Sequence, residues 1–115
     1  MARTPQEVFA HHAQALGAGD LDGIVADYAE DAVVISPTGV LRGLDGVRTA
    51  FTQLLGDLPN ANWDLPTQIY EGDVLFLEWT ADAGSTRADD GIDTFVFRDG
   101  LIQVQTVRYT LQHRG

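Results

Sequence analysis

Two ionisable residues of this sequence lie among apolar neighbours, where their chemistry would differ from that of a surface residue. Asp93 alternates with Phe95 and Phe97, so the three side chains share one face of a predicted strand. Burial on that face would favour the neutral carboxyl group, which can donate a hydrogen bond to a ligand. The alternative is a structural aspartate bonded to the backbone or to an arginine.

His12 is the second of these residues, on the same helical face as Val8, Phe9 and Leu16. Imidazole has an ordinary pKa close to neutral pH, so His12 could transfer a proton. A histidine in this setting can equally be a hydrogen-bonded core residue. The neighbouring His11 points about 100° away around the helix and is expected to be exposed. Because two histidines so placed chelate one ion poorly, we expect no metal site.

Polar and aromatic side chains that could line a pocket occur elsewhere in the chain. Gln105 and Tyr109 share one face of the last strand candidate, with Val107 between them. This alternation suits a cavity wall with a few polar points, although a solvated outer face would look the same. The large aromatic residues are further wall candidates, with plain core packing as the alternative: Tyr28, Phe51, Trp63 and Trp79.

The first half of the chain is predicted to supply helices. Helix one should run over residues 5–16, with Thr4 as N-cap and Glu7 completing a capping box. Gly17–Gly19 should end it. Asp20 should cap a second helix, whose apolar residues recur at helical spacing as far as Tyr28. A third helix has four residues on its buried side: Val47, Phe51, Leu54 and Leu55.

Strands are predicted around and after these helices. Two short candidates precede the third helix, at 32–36 and 40–43, and four longer ones follow it, at 63–70, 74–81, 92–97 and 101–111. Residues 82–91 are expected to form a loose hairpin loop. This order gives an α+β fold in which a curved, mainly antiparallel sheet packs its concave face against the three helices. Strand 74–81 is apolar on both faces, so we expect a homodimer that covers the outer face.

Composition narrows the class of protein. The 115 residues suit a single domain, spanning 1–115, and contain no cysteine. Seventeen acidic residues against seven basic ones give a net charge of −10, which disfavours nucleic acids and anionic membranes as partners. No apolar run is long enough to span a membrane. A cytoplasmic location is the default expectation, and no motif calls for a cofactor.

Two segments resemble a known family. Residues 18–32, Ala-Gly-Asp-Leu-Asp-Gly-Ile-Val-Ala-Asp-Tyr-Ala-Glu-Asp-Ala, resemble the second-helix segment of the NTF2-like superfamily, in particular its SnoaL-like and steroid Δ-isomerase branches. Residues 92–97, Ile-Asp-Thr-Phe-Val-Phe, are similar to a late strand of the isomerase branch. The resemblance implies an NTF2-like cone that encloses a small apolar pocket.

The resemblance also implies roles for particular residues. In the isomerases one aspartate removes a proton beside a ketone, while a tyrosine and a protonated aspartate stabilise the oxyanion. The protonated aspartate corresponds to Asp93, the tyrosine to His12, and the general base to Ser36. Serine is no resting base at neutral pH, so a conventional ketosteroid isomerase reaction is not expected. Ser36 could still donate a hydrogen bond to a ligand, or simply end its strand, and Glu78 is a candidate substitute base.

Two functions follow from this resemblance. The first is a cofactor-independent isomerase or cyclase that transfers protons on a small hydrophobic, carbonyl-bearing metabolite. In that case His12 and Asp93 would form a hydrogen-bonded acid–base pair that titrates near neutral pH, and a set of residues would bind the substrate: Ser36, Tyr28, Phe51, Trp63, Gln105 and Tyr109. The alternative is a non-catalytic ligand-binding or dimerisation module of the same fold.

Overall fold

A computed structural model describes residues 2–114 of the chain. It contains three helices, α1 (Pro5–Ala18), α2 (Leu21–Val25) and α3 (Gly43–Asp57). Its seven strands are β1 (Tyr28–Ser36), β2 (Gly39–Arg42), β3 (Asn62–Glu71), β4 (Val74–Asp82), β5 (Thr86–Arg98), β6 (Leu101–Arg108) and β7 (Gln112–His113). No helix among these residues is both long and apolar enough to span a membrane.

Helix α1 begins where its sequence predicts and ends at Ala18, two residues later than predicted. The Thr4 hydroxyl accepts a hydrogen bond from the Glu7 backbone N–H at 3.2 Å, and the Glu7 carboxylate accepts one from the Thr4 N–H at 2.8 Å. These two bonds satisfy amide groups that the helix leaves unpaired at its start. At the other end Gly19 adopts a left-handed conformation with φ 66°, which closes the helix at little steric cost.

The boundary between α2 and β1 differs from the prediction. Asp20 caps α2 by accepting a hydrogen bond from the Gly23 N–H at 3.0 Å, but the helix ends at Val25. Tyr28, predicted to continue the helical pattern, instead begins β1 and pairs with Ile102 of β6. The sheet pairing overrides the local periodicity, because a helix of five residues has little stability of its own.

The strands form one curved sheet in the order β2-β1-β6-β5-β4-β3, with β7 paired to β5. Within residues 2–114 the β1–β6 pairing is parallel and the other pairings are antiparallel. The predicted loose loop at 82–91 is wrong, because β5 already begins at Thr86 and pairs with the end of β4. The last long strand ends at Arg108 rather than at Leu111.

The helices cover the concave face of this sheet and build the core with it. Phe51 and Leu54 of α3 belong to one hydrophobic cluster with the buried sheet residues Leu75, Leu77 and Phe95. The α+β cone predicted from the sequence is therefore confirmed. One side of the sheet is closed by helices, and the space between them holds the polar groups described next.

Candidate functional site

The centre of the site is the Asp93 carboxyl group, which is only 5 % exposed. The Trp79 indole Nε1–H donates a hydrogen bond to Asp93 Oδ1 at 2.9 Å. The Gln105 amide Nε2–H donates one to Asp93 Oδ2 at 2.8 Å. Both oxygens of this buried carboxyl group are therefore bonded by neighbouring strands.

The same network continues to β1. The Tyr28 hydroxyl donates a short hydrogen bond to Gln105 Oε1, so the amide is held at both of its ends. Burial, with Asp93 and Asp27 nearby, raises the pKa of Tyr28 well above its usual range. Four strands thus contribute one side chain each to a connected set, which we call the buried network: Tyr28, Trp79, Asp93 and Gln105.

Burial decides the protonation of Asp93. Loss of hydration raises the pKa of its carboxyl group to about 7, although the hydrogen bonds from Trp79 and Gln105 act in the opposite direction. The neutral form of the carboxyl group is therefore favoured far more than in an exposed aspartate, as its place on one strand face with Phe95 and Phe97 predicts. A neutral carboxyl group beside an apolar cavity can support negative charge on a neighbouring ligand oxygen.

A glycine makes room for the Trp79 donor. Gly91 of β5 lies opposite Trp79 in the β4–β5 pairing. A Cβ atom on Gly91 would come within 2.1 Å of the indole ring, so a larger residue would displace the ring. Sequence reasoning gave Trp79 only an apolar role. Its place on the Asp93 side of the sheet could have suggested the indole N–H as a donor, since a buried indole usually finds an acceptor.

His12 is also buried, at 2 % exposure, but its surroundings are different. Its ring packs edge-on against three aromatic rings with centroids 5.4–5.9 Å away: Tyr28, Phe51 and Phe95. Its Nδ1 atom has no hydrogen-bond partner among residues 2–114. Burial, only partly offset by the charge of Asp27, lowers the pKa of His12 to about 4, so the ring is neutral at physiological pH.

The expected hydrogen-bonded pair of His12 and Asp93 is wrong. In the described chain the side-chain hydrogen bonds of Asp93 come from Trp79 and Gln105. The physical reason is that these two donors occupy both carboxyl oxygens of Asp93, whereas the His12 ring packs edge-on against three aromatic rings.

A second buried carboxylate fixes the orientation of α1. Asp27 accepts hydrogen bonds from Arg3 at 2.9 Å and pairs with His11 Nδ1 at 2.7 Å, while the His11 side chain stays half exposed. Its backbone carbonyl accepts a hydrogen bond from the Ile102 N–H at 2.8 Å. Asp27 thus links His11 of α1 to Ile102 of β6, and the residue that follows His11, His12, is buried in the interior.

Two cavities lie between the helices and the sheet. The inner cavity has a volume of about 40 Å³, which admits a few water molecules at most. Its wall includes both ionisable residues named above and aromatic side chains from helices and strands: His12, Asp93, Phe9, Phe51, Trp63, Trp79 and Phe95. The inner cavity is thus a nearly filled aromatic pocket.

The outer cavity is larger, at about 410 Å³, within the range of metabolite pockets. Its apolar wall includes Val34, Leu41, Phe51, Leu54, Val107 and Leu111. Its polar wall includes Ser36, Thr38, Gln53, Asp57, Gln105, Arg108 and Tyr109. Gln105 belongs both to this wall and to the buried network, so it connects the outer cavity to Asp93.

The structure places the predicted substrate-binding residues in different positions. Ser36, Gln105 and Tyr109 line the outer cavity, Phe51 lines both cavities, and Trp63 lines the inner one. Tyr28 lines neither and acts only through Gln105. The Ser36 hydroxyl is bonded to the Thr38 hydroxyl at 2.9 Å, and no base stands beside it in the described residues.

The sequence predicts a role in the site for the acidic residue Glu78 and none for Asp57. Glu78, the candidate substitute base, lies opposite Ile92 in register and lines neither cavity, so that role is wrong. Asp57, which sequence reasoning missed, lines the outer cavity and accepts a hydrogen bond from the Tyr109 hydroxyl at 3.1 Å. Its only sequence signal was an acidic residue at the end of a helix. Residues 2–114 contain no group of three or more side chains suited to holding a metal ion.

Comparison with solved structures places this geometry in a fold family. An NTF-2 like protein from Burkholderia xenovorans has a TM-score of 0.79 at 19 % identity, over 96 % of this chain and 86 % of that one. A candidate ketosteroid isomerase from Kribbella flavida has a TM-score of 0.77 at 14 % identity, over 96 % and 81 %. IdmH, a candidate polyketide cyclase from Streptomyces antibioticus, has a TM-score of 0.74 at 18 % identity, over 93 % and 92 %.

These identities are low enough that the structural matches establish the fold alone. None of the curated proteins is a significant match to the sequence. A family profile described as the SnoaL-like domain matches residues 9–105. Because that match extends over most of the chain, the protein belongs to the SnoaL-like domain family of the NTF2-like superfamily.

Proposed function

We propose that this domain binds a small hydrophobic, carbonyl-bearing metabolite in the outer cavity and acts on it by proton transfer, as an isomerase or cyclase without a cofactor. The observation that carries the proposal is the position of Gln105. Gln105 is one of the residues that line the outer cavity, and its amide is held by hydrogen bonds with Tyr28 and Asp93. A polar group fixed in this way at a cavity wall can orient a ligand oxygen.

The buried network would stabilise negative charge on that oxygen. The Gln105 amide uses one of its two N–H groups on Asp93, and the other can donate to a ligand carbonyl. An ionised Asp93 behind it would oppose the developing charge, whereas a neutral one would not. Since the pKa of Asp93 is about 7, turnover should decline as the pH rises above 7.

His12 has a narrower role in this proposal. It lines the inner cavity, and its pKa of about 4 keeps it neutral at physiological pH, so it does not shuttle protons there. Asp93 also acts from the inner side, through Gln105 rather than by direct contact with a ligand in the outer cavity. Ser36 and Tyr109 would contact the ligand at the outer wall.

Binding of 2-naphthol, a stable mimic of a hydrophobic enolate, tests the proposal. We expect it to shift the NMR signals of the Gln105 amide, and Gln105→Leu should weaken its binding about tenfold or more. Gln103→Leu is the matched control, because Gln103 bonds to Asp31 outside both cavities. Equal affinities of the two variants would contradict the proposal. Native mass spectrometry of freshly purified protein would reveal a retained natural ligand.

The alternative, a non-catalytic binding or dimerisation module, is favoured by one observation. The outer face of the sheet carries two rows of residues that are paired in register across neighbouring strands. The first row is Ile35, Thr106, Thr94, Phe76 and Ile69, and the second is Val33, Val104, Val96 and Val74. Ile69 is 59 % exposed and Phe76 38 %. An apolar sheet face of this extent suits a second copy of the chain.

Sedimentation analysis tests the homodimer. Phe76→Lys should convert a dimer into a monomer, because it would bury an unpaired charge at the centre of the outer face. Thr52→Lys on the exposed side of α3 adds the same charge elsewhere and should leave the dimer intact. A monomeric unmodified protein would contradict the dimer.

A cytoplasmic location and one domain over 1–115 stay predictions.

A further inference from the structure

The outer cavity contains one carboxylate in its described wall, that of Asp57. Two contacts from the sheet hold this residue in place. The Tyr109 hydroxyl donates to Asp57 Oδ2 at 3.1 Å, and the Thr86 hydroxyl donates to the Asp57 backbone carbonyl at 2.6 Å. Thr86 belongs to β5 and Tyr109 directly follows β6, and the Tyr109 ring lies 5.4 Å from the ring of Trp79 in the buried network.

The location of Asp57 has no explanation in local folding. It is the last residue of α3, where the negative end of the helix dipole destabilises an acidic side chain. No ion pair within residues 2–114 includes Asp57 to offset this cost. A residue that opposes its local structure is a candidate for a functional one.

One oxygen of Asp57 remains available. Its Oδ2 atom accepts from Tyr109, while Oδ1 takes part in none of the side-chain hydrogen bonds of the described chain. The wall of the same cavity combines apolar residues such as Leu54 and Val107 with polar ones such as Arg108. A carboxylate fixed in a cavity wall, with one oxygen not engaged by another side chain, is suited to accept a proton from carbon.

We propose that Asp57 is the proton acceptor of the outer cavity and that Tyr109 is its positioning residue. This inference rests on the proposed function, and it supplies the base that is missing at Ser36. Asp57 Oδ1 would take a proton from the carbon next to a ligand carbonyl. The electron pair of that C–H bond forms a carbon–carbon double bond, and the carbonyl oxygen takes the negative charge beside the Gln105 amide.

The proton on Asp57 then completes either of two reactions. In an isomerisation it returns to a different carbon of the same enolate, which shifts the double bond. In a cyclisation the enolate carbon attacks a second carbonyl group of the ligand, and the proton goes to the alkoxide that this attack creates. Neither reaction needs an oxidant, a reductant or a further reactant.

The test uses 5-nitrobenzisoxazole as the probe, because a carboxylate base in an apolar pocket opens its ring. The base removes the C–H proton, the N–O bond breaks, and a coloured cyanonitrophenolate forms. We expect Asp57→Asn to lower the rate about 100-fold. Asp64→Asn is the matched control, since Asp64 is exposed on β3 and outside both cavities, and it should react as the unmodified protein does. Thermal unfolding of both variants confirms folding.

Tyr109→Phe separates positioning from mere structure. It should lower kcat for ring opening by less than Asp57→Asn does and leave KM unchanged, because Asp57 keeps its carboxylate but loses the hydrogen bond that orients it. An unchanged kcat would overturn the role of Tyr109.

The affinity for 2-naphthol distinguishes the two proposals. If the Asp57→Asn variant keeps this affinity but no longer opens the ring, the result supports Asp57 as the proton acceptor. Ring opening that is absent, or equal in Asp57→Asn and the unmodified protein, overturns the acceptor while binding remains. If the unmodified protein does not bind 2-naphthol, the proposed function itself is overturned.

Discussion

The two cavities of this domain share the walls formed by Phe51 and Leu54 but differ about tenfold in volume. The inner one is packed with aromatic rings and contains an acid and a base whose pKa values both shift toward the neutral form, Asp93 and His12. The outer one has room for a metabolite and contains groups whose hydrogen bonds are incomplete. Burial also raises the pKa of Tyr109, which lines the outer cavity, so shifted groups occur in both cavities.

Asp93 and His12 show how one physical cause acts on two kinds of group. Burial raises the pKa of the acid and lowers that of the base, so both are pushed toward neutrality. Asp93 retains hydrogen bonds to both oxygens, whereas His12 Nδ1 retains none in the described chain. Burial in the inner cavity thus favours the neutral forms of its ionisable side chains. In the outer cavity, Asp57 keeps an oxygen that no other side chain of the described residues bonds.

The largest expected effect concerns packing. Phe95→Ala should cost about 3–5 kcal/mol in the free energy of unfolding, because Phe95 is 1 % exposed and its loss leaves a void beside the inner cavity. Leu41→Ala, at the outer cavity and 37 % exposed, should cost less than about 1 kcal/mol. Urea denaturation measures both. Similar costs would contradict the distinction between a packed and an open cavity.

The second effect concerns the charge of Asp93. An acid with a raised pKa binds more protons in the folded state, so its contribution to stability falls as the pH rises from about 4 to about 7. Asp93→Asn removes this fall. Between pH 4 and pH 8, the free energy of unfolding of the variant should rise by on the order of 3–4 kcal/mol relative to that of the unmodified protein. Urea denaturation at several pH values measures this change. A constant difference would show that Asp93 ionises normally.

The third effect concerns His12, whose contribution to stability changes with pH in the opposite direction to that of Asp93. His12 protonates near pH 6.5 when unfolded but near 4 when folded, so its contribution to stability is lost as the pH falls between these values. His12→Leu should therefore gain on the order of 2–3 kcal/mol over the unmodified protein as the pH falls from 7 to 4. The double variant with Asp93→Asn should show neither trend. A double variant that keeps either slope would implicate other residues.

The smallest effect compares two hydroxyl groups. Tyr28→Phe leaves Gln105 Oε1 without its buried donor and should cost about 1–3 kcal/mol. Tyr109→Phe should cost under about 1 kcal/mol, because water can replace the donor to Asp57 in the more open cavity. If thermal unfolding gives the reverse order, the network around Gln105 is less enclosed than the structure indicates.

Most of the fold could be predicted because its signals are local. The capping residues Thr4 and Asp20 confirm the expected helix starts. The strands predicted at 92–97 and 101–111 are joined by a turn at Asp99 and Gly100, both with positive φ. The predicted element boundaries were wrong where pairing with a strand distant in sequence determines the structure. Tyr28 joins a strand because of its partner Ile102, and β5 starts early because it pairs with the end of β4.

The site was predictable only in part. Alternation with phenylalanines correctly indicated a buried Asp93, since strand periodicity reports burial directly. It did not indicate the partners of Asp93, because periodicity carries no information about which indole or amide lies across the sheet. Asp57 meets Tyr109, 52 residues later, through the tertiary fold alone, so no local pattern could connect them.

The parallel pairing of β1 with β6 has a consequence for the order of events during folding. Tyr28 and Gln105 are 77 positions apart in the chain, and their contact closes across this pairing. Contacts of such long sequence separation are slow to form. Until the last long strand has docked, the Asp93 carboxyl group lacks one of its donors, so a partly synthesised chain would hold helices and hairpins without an assembled centre.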